Sequence, residues 1–245
     1  MIGEIPFWAL TLAWIVVTIA ALTQATIGFG FNILAVPMMS LIHPDLAPNP
    51  QLLITVVLSA ATVIRERGRL EDLKEVAFVL AARPIGGLAG LAVIGLATAF
   101  WLDLSIGVIV LLAVAILSTN ITVERTPVTE SLAGFTSGFT SIVSSIGGPP
   151  LILLYRDETG KKTRSQLGIV FLIGALISIG LRSLGQEFGT DDLVIGLSML
   201  PPMFLGFAIA GPARSKIDRI GLRTPVLVMS SLAAISLIGR ALLNL

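Results

Sequence analysis

Cysteine is absent from the 245 residues, and histidine and tyrosine occur once each. Without cysteine there is no disulfide, no thiolate metal site and no cysteine nucleophile, and the redox compartment stays open. Charge is scarce too: Asp, Glu, Lys and Arg make up 13% of the chain, against about 25% in soluble domains. A soluble protein of this size could not cover its surface with so few charges. Catalytic signatures are missing as well. There is no H-E-x-x-H, no pair of Asp residues within an apolar run, no Ser–His pair at membrane depth and no G-x-x-x-x-G-K-[ST] loop, so neither an enzyme nor a cofactor is implied. The net charge of +1 hides no basic arm and no aromatic-interleaved basic patch, and nucleic acid is not a partner.

What is present is apolar. Hydrophobic residues make up 55% of the chain and the mean hydropathy is +0.95. A bilayer rewards such a composition over spans of about 20 residues. Apolar runs cover roughly 7–27, 31–42, 51–64, 76–100, 104–122, 131–155, 167–186, 193–212 and 224–244. Met1-Ile2-Gly3-Glu4 lacks the basic segment of a secretory signal, so the first run is expected to be a retained helix. Lipid is therefore the first partner.

The sparse charges are patterned. One loop holds Arg65, Arg67, Arg69 and Lys74, a second Arg156, Lys161, Lys162 and Arg164, and a third Arg214, Lys216, Arg219 and Arg223. Residues 43–50 and 101–103 contain no Lys or Arg, and 187–192 is acidic. The positive-inside rule puts the basic loops, with Arg125, in the cytoplasm and both termini outside it. Single crossings from 51 onward satisfy that assignment only if 7–42 and 131–155 each enter and leave on one side. Both stretches are interrupted by suitable residues, Gly28-Phe29-Gly30-Phe31-Asn32 and Gly147-Gly148-Pro149-Pro150.

The expected fold is an all-α polytopic membrane protein, a single transmembrane domain over 1–245. It comprises two inverted repeats, about 5–122 and 128–245, each a broken re-entrant helical hairpin plus three transmembrane helices. Pro50-Gln51-Leu52 and Ser165-Gln166-Leu167 fall at matching places. So do Arg83-Pro84 with Gly86, Gly87 and Gly90, and Pro201-Pro202 with Gly206 and Gly211. Inverted repeats with interrupted helices are a transporter architecture.

Backbone that leaves the helix within a membrane needs protein or a hydrated cavity to satisfy its polar groups. Helices restarting after the two breaks would turn N–H groups and positive dipole ends inward, a setting for an anion. Glycine lets a ligand approach the backbone, and Pro149 suits a first helical turn. The alternative is that these glycines only pack helices closely. Polar neighbours of the first break are Thr23, Gln24, Thr26 and Asn32. The second has Thr136, Ser137, Thr140, Ser141, Ser144 and Ser145, of which Ser137, Thr140, Ser141 and Ser144 share a helical face. Arg83, the cation deepest in an apolar run, either snorkels to the interface or lines a vestibule that attracts anions. Arg182 and Arg240, near run ends, are expected to snorkel. Gln51 and Gln166 either close the two sides of the site or cap helices at the interface. Every Asp and Glu lies in or beside a loop, and His43 stands at a span boundary. No buried carboxylate is therefore expected for a proton relay, and no metal site.

The segment Gln24-Ala25-Thr26-Ile27-Gly28-Phe29-Gly30-Phe31, running to Pro37, and the later Gly134-Phe135, Gly138-Phe139 and Gly147-Gly148-Pro149-Pro150 resemble the signature hairpins of the sulfite exporter TauE/SafE family of membrane permeases. The resemblance spans nearly the whole chain. It implies a duplicated, inverted helical fold in the inner membrane that moves sulfite, sulfonates or related organic anions. The expected function is secondary transport or facilitated passage of a small anion, above all export of sulfite or an organosulfonate. Uptake of a small carboxylate is the alternative within transport, and a structural or assembly membrane protein the alternative outside it. The candidate substrate-binding residues are Gln24, Thr26, Gly28, Gly30, Asn32, Arg83, Ser141, Ser144, Ser145, Gly147, Gly148 and Pro149. A homodimer remains open.

Overall fold

A computed structural model describes residues 5–95, 98–119, 121–155, 160–220 and 223–243, with side chains over 212–223 excluded. Arg156 and the third basic loop, Arg214, Lys216, Arg219 and Arg223, thus have side chains outside the described residues.

The described residues are helical, without strands. In chain order the helices are α1 (Phe7–Ile27), α2 (Phe31–Ile42), α3 (Pro50–Glu66), α4 (Leu70–Glu75), α5 (Ala77–Ile94) and α6 (Ala99–Ser118). The second half has α7 (Pro127–Ser144), α8 (Pro149–Tyr155), α9 (Lys161–Leu184), α10 (Thr190–Ser198), α11 (Leu200–Ile220) and α12 (Arg223–Leu243). Six are long and apolar enough to cross a membrane, and the bent pair Thr190–Ser198 and Leu200–Gly211 makes a seventh at a 41° kink. The chain is a multi-pass membrane protein.

Both expected interruptions are present, between α1 and α2 and between α7 and α8. The arms are unequal: 21 residues followed by 12 in the first hairpin, and 18 followed by 7 in the second. The structure differs from the apolar runs elsewhere. The 76–100 run ends early: α5 stops at Ile94 and α6 starts at Ala99, so the turn precedes the expected 101–103. The 193–212 run divides where Pro201-Pro202 enter the first turn of α11. Part of the first basic loop folds as α4, whose Asp72 carboxylate accepts from the Arg69 N–H at 3.0 Å.

Packing follows a pattern that survives exchange of the two halves. α1 lies along α11 and α7 along α5, while α3 packs on α9 and α6 on α12. The α5–α7 seam is the tightest. A Cβ built on Gly134, Gly138 or Gly86 would collide with the main chain of Val79, Arg83 or Phe135 respectively. Lipid gives helices no hydrophobic reason to associate, so such backbone approach carries the contact. The seam fixes the main chain of Arg83 against α7. Leu88, Leu112, Leu132, Phe204 and Leu232 point away from the bundle, as a lipid-facing surface requires.

Candidate functional site

At the first break Gly28 (φ 103°) and Gly30 (φ 108°) adopt the left-handed conformation that favours glycine. The Gly28 N–H donates to Gln24 O at 2.7 Å. Gln24 then bridges the gap, its Oε1 accepting from the Phe31 N–H at 3.2 Å, in the first turn of α2. At the second break Ser145 takes the left-handed place (φ 59°), a costlier conformation for a residue with a side chain. Three contacts hold it. Its N–H donates to Ser141 O at 2.9 Å, its Oγ to Pro48 O at 2.8 Å, and its carbonyl accepts from Asn32 Nδ2 at 2.6 Å.

Each helix entering a break also has an arginine on its last turn. Arg65 Nη2, from the end of α3, donates to Ala25 O at 2.5 Å. Arg182 Nη2, from the end of α9, donates to Ile142 O. Ala25 lies three residues before Gly28, and Ile142 three before Ser145. These are the carbonyls a helix end leaves without intrahelical donors, at the negative end of its dipole. The same device therefore serves both breaks.

Between the breaks is a small cavity, with about 30 Å³ of space for the centres of water-sized molecules. One part of its wall is Gln24, Gly30 and Asn32, and another is Ser145, Gly147 and Gly148. Thr55, Ser141 and Arg83 supply further polar groups, and Ile33, Leu52, Ile146, Phe171 and Ala175 the apolar lining. Asn32 Nδ2 also donates to Thr55 Oγ1 at 3.1 Å. The Ser141 and Ser178 hydroxyls bond each other at 2.9 Å.

Arg83 is the only formal charge in that wall. Its residue is 2% exposed, and Nη1 donates to Ser137 Oγ at 2.9 Å. Ser137 Oγ in turn donates to Gly147 O, which links the guanidinium to the second break. Gly174 leaves the space the guanidinium occupies, since a Cβ there would overlap it. No carboxylate stands within ion-pairing distance of Arg83 among the described residues. A buried cation without a counter-charge is costly unless an anion visits it.

Eight of the twelve candidate residues line this cavity: Gln24, Gly30, Asn32, Arg83, Ser141, Ser145, Gly147 and Gly148. Four do not. The Thr26 hydroxyl bonds back to Leu22 O and Thr23 O, and that of Ser144 to Thr140 O. Gly28 lies under the Arg164 side chain, and Pro149 is buried at the start of α8. Of the serine face on α7, Ser137 and Ser141 turn to Arg83 and the cavity, while the Thr140 hydroxyl bonds back to Ser137 O; Thr136, off that face, bonds back to Leu132 O. Thr55 and Ser178 escaped the sequence reading. The signal for Thr55 was its place four residues after Gln51, inside an otherwise apolar α3.

The structure decides between the two readings of Arg83 and corrects the expectation for Arg182. Arg83 does not snorkel; Gly174 and Ser137 give it a place inside the bundle. Arg182 does not snorkel either: it is 1% exposed and reaches Asn49 Oδ1 as well as Ile142 O. Arg240 stays partly exposed at its run end, with Nη2 2.8 Å from Asp103 Oδ1. Carboxylates beside loops can also be buried, as Glu66, Asp72 and Glu130 are, because arginines or hydroxyls of neighbouring elements cover them. Gln51 is fully buried with neither amide atom bonded among the described residues. Gln166 Nε2 donates to Glu75 Oε2 at 2.5 Å.

A family model described as sulfite exporter TauE/SafE matches residues 13–237 of the chain. No curated protein and no solved structure matches it.

Proposed function

Since the chain belongs to the sulfite exporter TauE/SafE family of membrane transporters, we propose that it is a secondary transporter or facilitator that exports a compact oxyanion, sulfite or a small organosulfonate, across the inner membrane. Arg83 carries this reading. It is a buried guanidinium without a carboxylate partner among the described residues, at the wall of a cavity bounded by two helix breaks. An oxyanion there gains charge-assisted hydrogen bonds from a cation that has no anionic partner among the described residues. Gly147 and Gly148 offer N–H groups that donate to no carbonyl among the described residues. The hydroxyls of Thr55 and Ser141 add donors without adding charge.

The wall also argues for what is refused. It contains no Asp or Glu, so an ammonium group brought in with a sulfonate would meet only Arg83. Inverted halves rocking about the cavity would expose it to each side in turn, with the basic loops in the cytoplasm and both termini outside. Flux into proteoliposomes tests the function, comparing sulfite, sulfoacetate, taurine and acetate with and without a pH gradient. Sulfite or sulfoacetate should move, and zwitterionic taurine at least about tenfold more slowly, the discrimination that about 1.4 kcal/mol of charge repulsion gives. Acetate flux alone would favour carboxylate uptake. No flux from folded protein for any of the four would overturn the transport reading.

A further inference from the structure

α9 carries an arginine near each end, Arg164 and Arg182, separated by about 27 Å at 1.5 Å per residue. Phe171 and Ala175, midway between them, line the cavity. Each arginine is fastened to the opposite half of the chain, and to opposite ends of α3. Arg164 holds Glu66 in a two-pronged pair, Nε to Oε1 at 3.0 Å and Nη2 to Oε2 at 3.2 Å. The Glu66 side chain is 3% exposed and that of Arg164 14%. Arg182 Nη1 donates to Asn49 Oδ1. The Asn49 amide nitrogen donates to Glu187 O at 2.6 Å and to Asp192 Oδ2 at 3.3 Å.

Each fastening also covers one break. The Arg164 side chain rests on Gly28, where a built Cβ would come within 2.9 Å of its Cγ. Glu66 pairs with Arg65, whose guanidinium holds the end of α1. At the other end Arg182 holds the end of α7, and Pro48, next to Asn49, accepts from Ser145. With Gln51 set opposite Gln166, Asn49 falls opposite Arg164. The two fastenings thus occupy nearly equivalent places in the two halves, Arg182 lying one residue beyond the position opposite Glu66.

Resting on the transporter reading above, we propose that Arg164–Glu66 and Arg182–Asn49 are the two gates of the central cavity, one toward each side of the membrane. The gates are chemically unequal. One is a direct buried ion pair, while in the other Asn49 stands between Arg182 and the Asp192 carboxylate, so no direct ion pair has to break at the Asn49 gate. Both stand closed in this structure, with the cavity between them. Opening one gate frees one break while the other stays capped, which is what alternating access requires of two halves that share α3 and α9 as their seam.

The missing cysteines make the test direct. Ala175→Cys places the only thiol of the protein on the cavity wall, and Ser141→Cys repeats the measurement from α7. A membrane-impermeant charged thiol reagent is applied from one face or the other, in vesicles of either orientation. Glu66→Gln should speed labelling about tenfold or more from one face, and Asn49→Ala from the opposite face, as lost fastenings of over 1.4 kcal/mol give. Glu66→Arg with Arg164→Glu should restore slow labelling, which general loosening would not. Acceleration from the same face in both variants, or from neither face, overturns the gates. The readout needs no substrate. Opposite-sided labelling without anion flux would keep the gates and discard the anion, and flux without it the reverse.

Discussion

Ser137 is the residue on which the polar chain of the cavity turns. Its oxygen accepts from Arg83 and donates to Gly147 O, so one hydroxyl orients the cation and steadies the second break. Ser137→Ala would leave Arg83 without any described partner while removing little volume. Its apparent sulfite affinity should fall about tenfold, from a charged hydrogen bond worth about 1.5 kcal/mol. Maximal flux should change less, and concentration-dependent uptake separates the two. At this scale the sequence spoke unevenly. Glycines announced the first break, where two positive φ angles favour them, whereas at the second the positive φ falls on Ser145 and the glycines and prolines only marked the place. The direction of a long side chain was not legible. Arg182 lies near the end of an apolar run, and nothing in the run shows that Asn49, from the other half, comes to meet it. The same holds for Arg83, whose space is made by Gly174 on a distant helix.

At the scale of elements, the bundle depends on helices whose backbones touch. Gly138 faces the Arg83 carbonyl, and any side chain there must push α5 and α7 apart. Gly138→Val should destabilise the protein by about 1–3 kcal/mol, the range of overpacking, and disturb Arg83 with it. Gly180 on α9 has nothing near it. Gly180→Ala should leave stability unchanged or raise it by up to about 1 kcal/mol, since alanine favours a helix interior. Thermal unfolding in detergent distinguishes the two, and equal effects would count against the seam. The apolar runs located nearly every helix, but hydropathy does not see a turn built of apolar residues. The break between α5 and α6 was therefore expected at 101–103 rather than between Ile94 and Ala99, and Pro201-Pro202 marked the α10–α11 kink only in retrospect.

At the scale of the whole molecule, the four most extensive helix contacts survive exchange of the two halves. α1 on α11 matches α7 on α5, and α3–α9 and α6–α12 match themselves. Loop charges had suggested two halves of opposite orientation, and matched capping by Arg65 and Arg182 fits that proposal. What loop charges could not convey is that the cavity has a single cation, because the match between halves fails there. Arg83-Pro84 on α5 has Pro201-Pro202 at the corresponding stretch of α11. An exact repeat would have two such cations facing one small anion, or none.

Arg83 is the group proposed to receive the anion, and radiolabelled sulfite flux through reconstituted Arg83→Gln tests that most directly. Glutamine retains donors and fits the space, so the bundle should fold and unfold at a temperature near that of the unaltered protein. Flux should fall about a hundredfold, the loss expected when a buried charge pair forfeits about 3 kcal/mol. Folded Arg83→Gln protein that carries sulfite within twofold of the unaltered chain would contradict it.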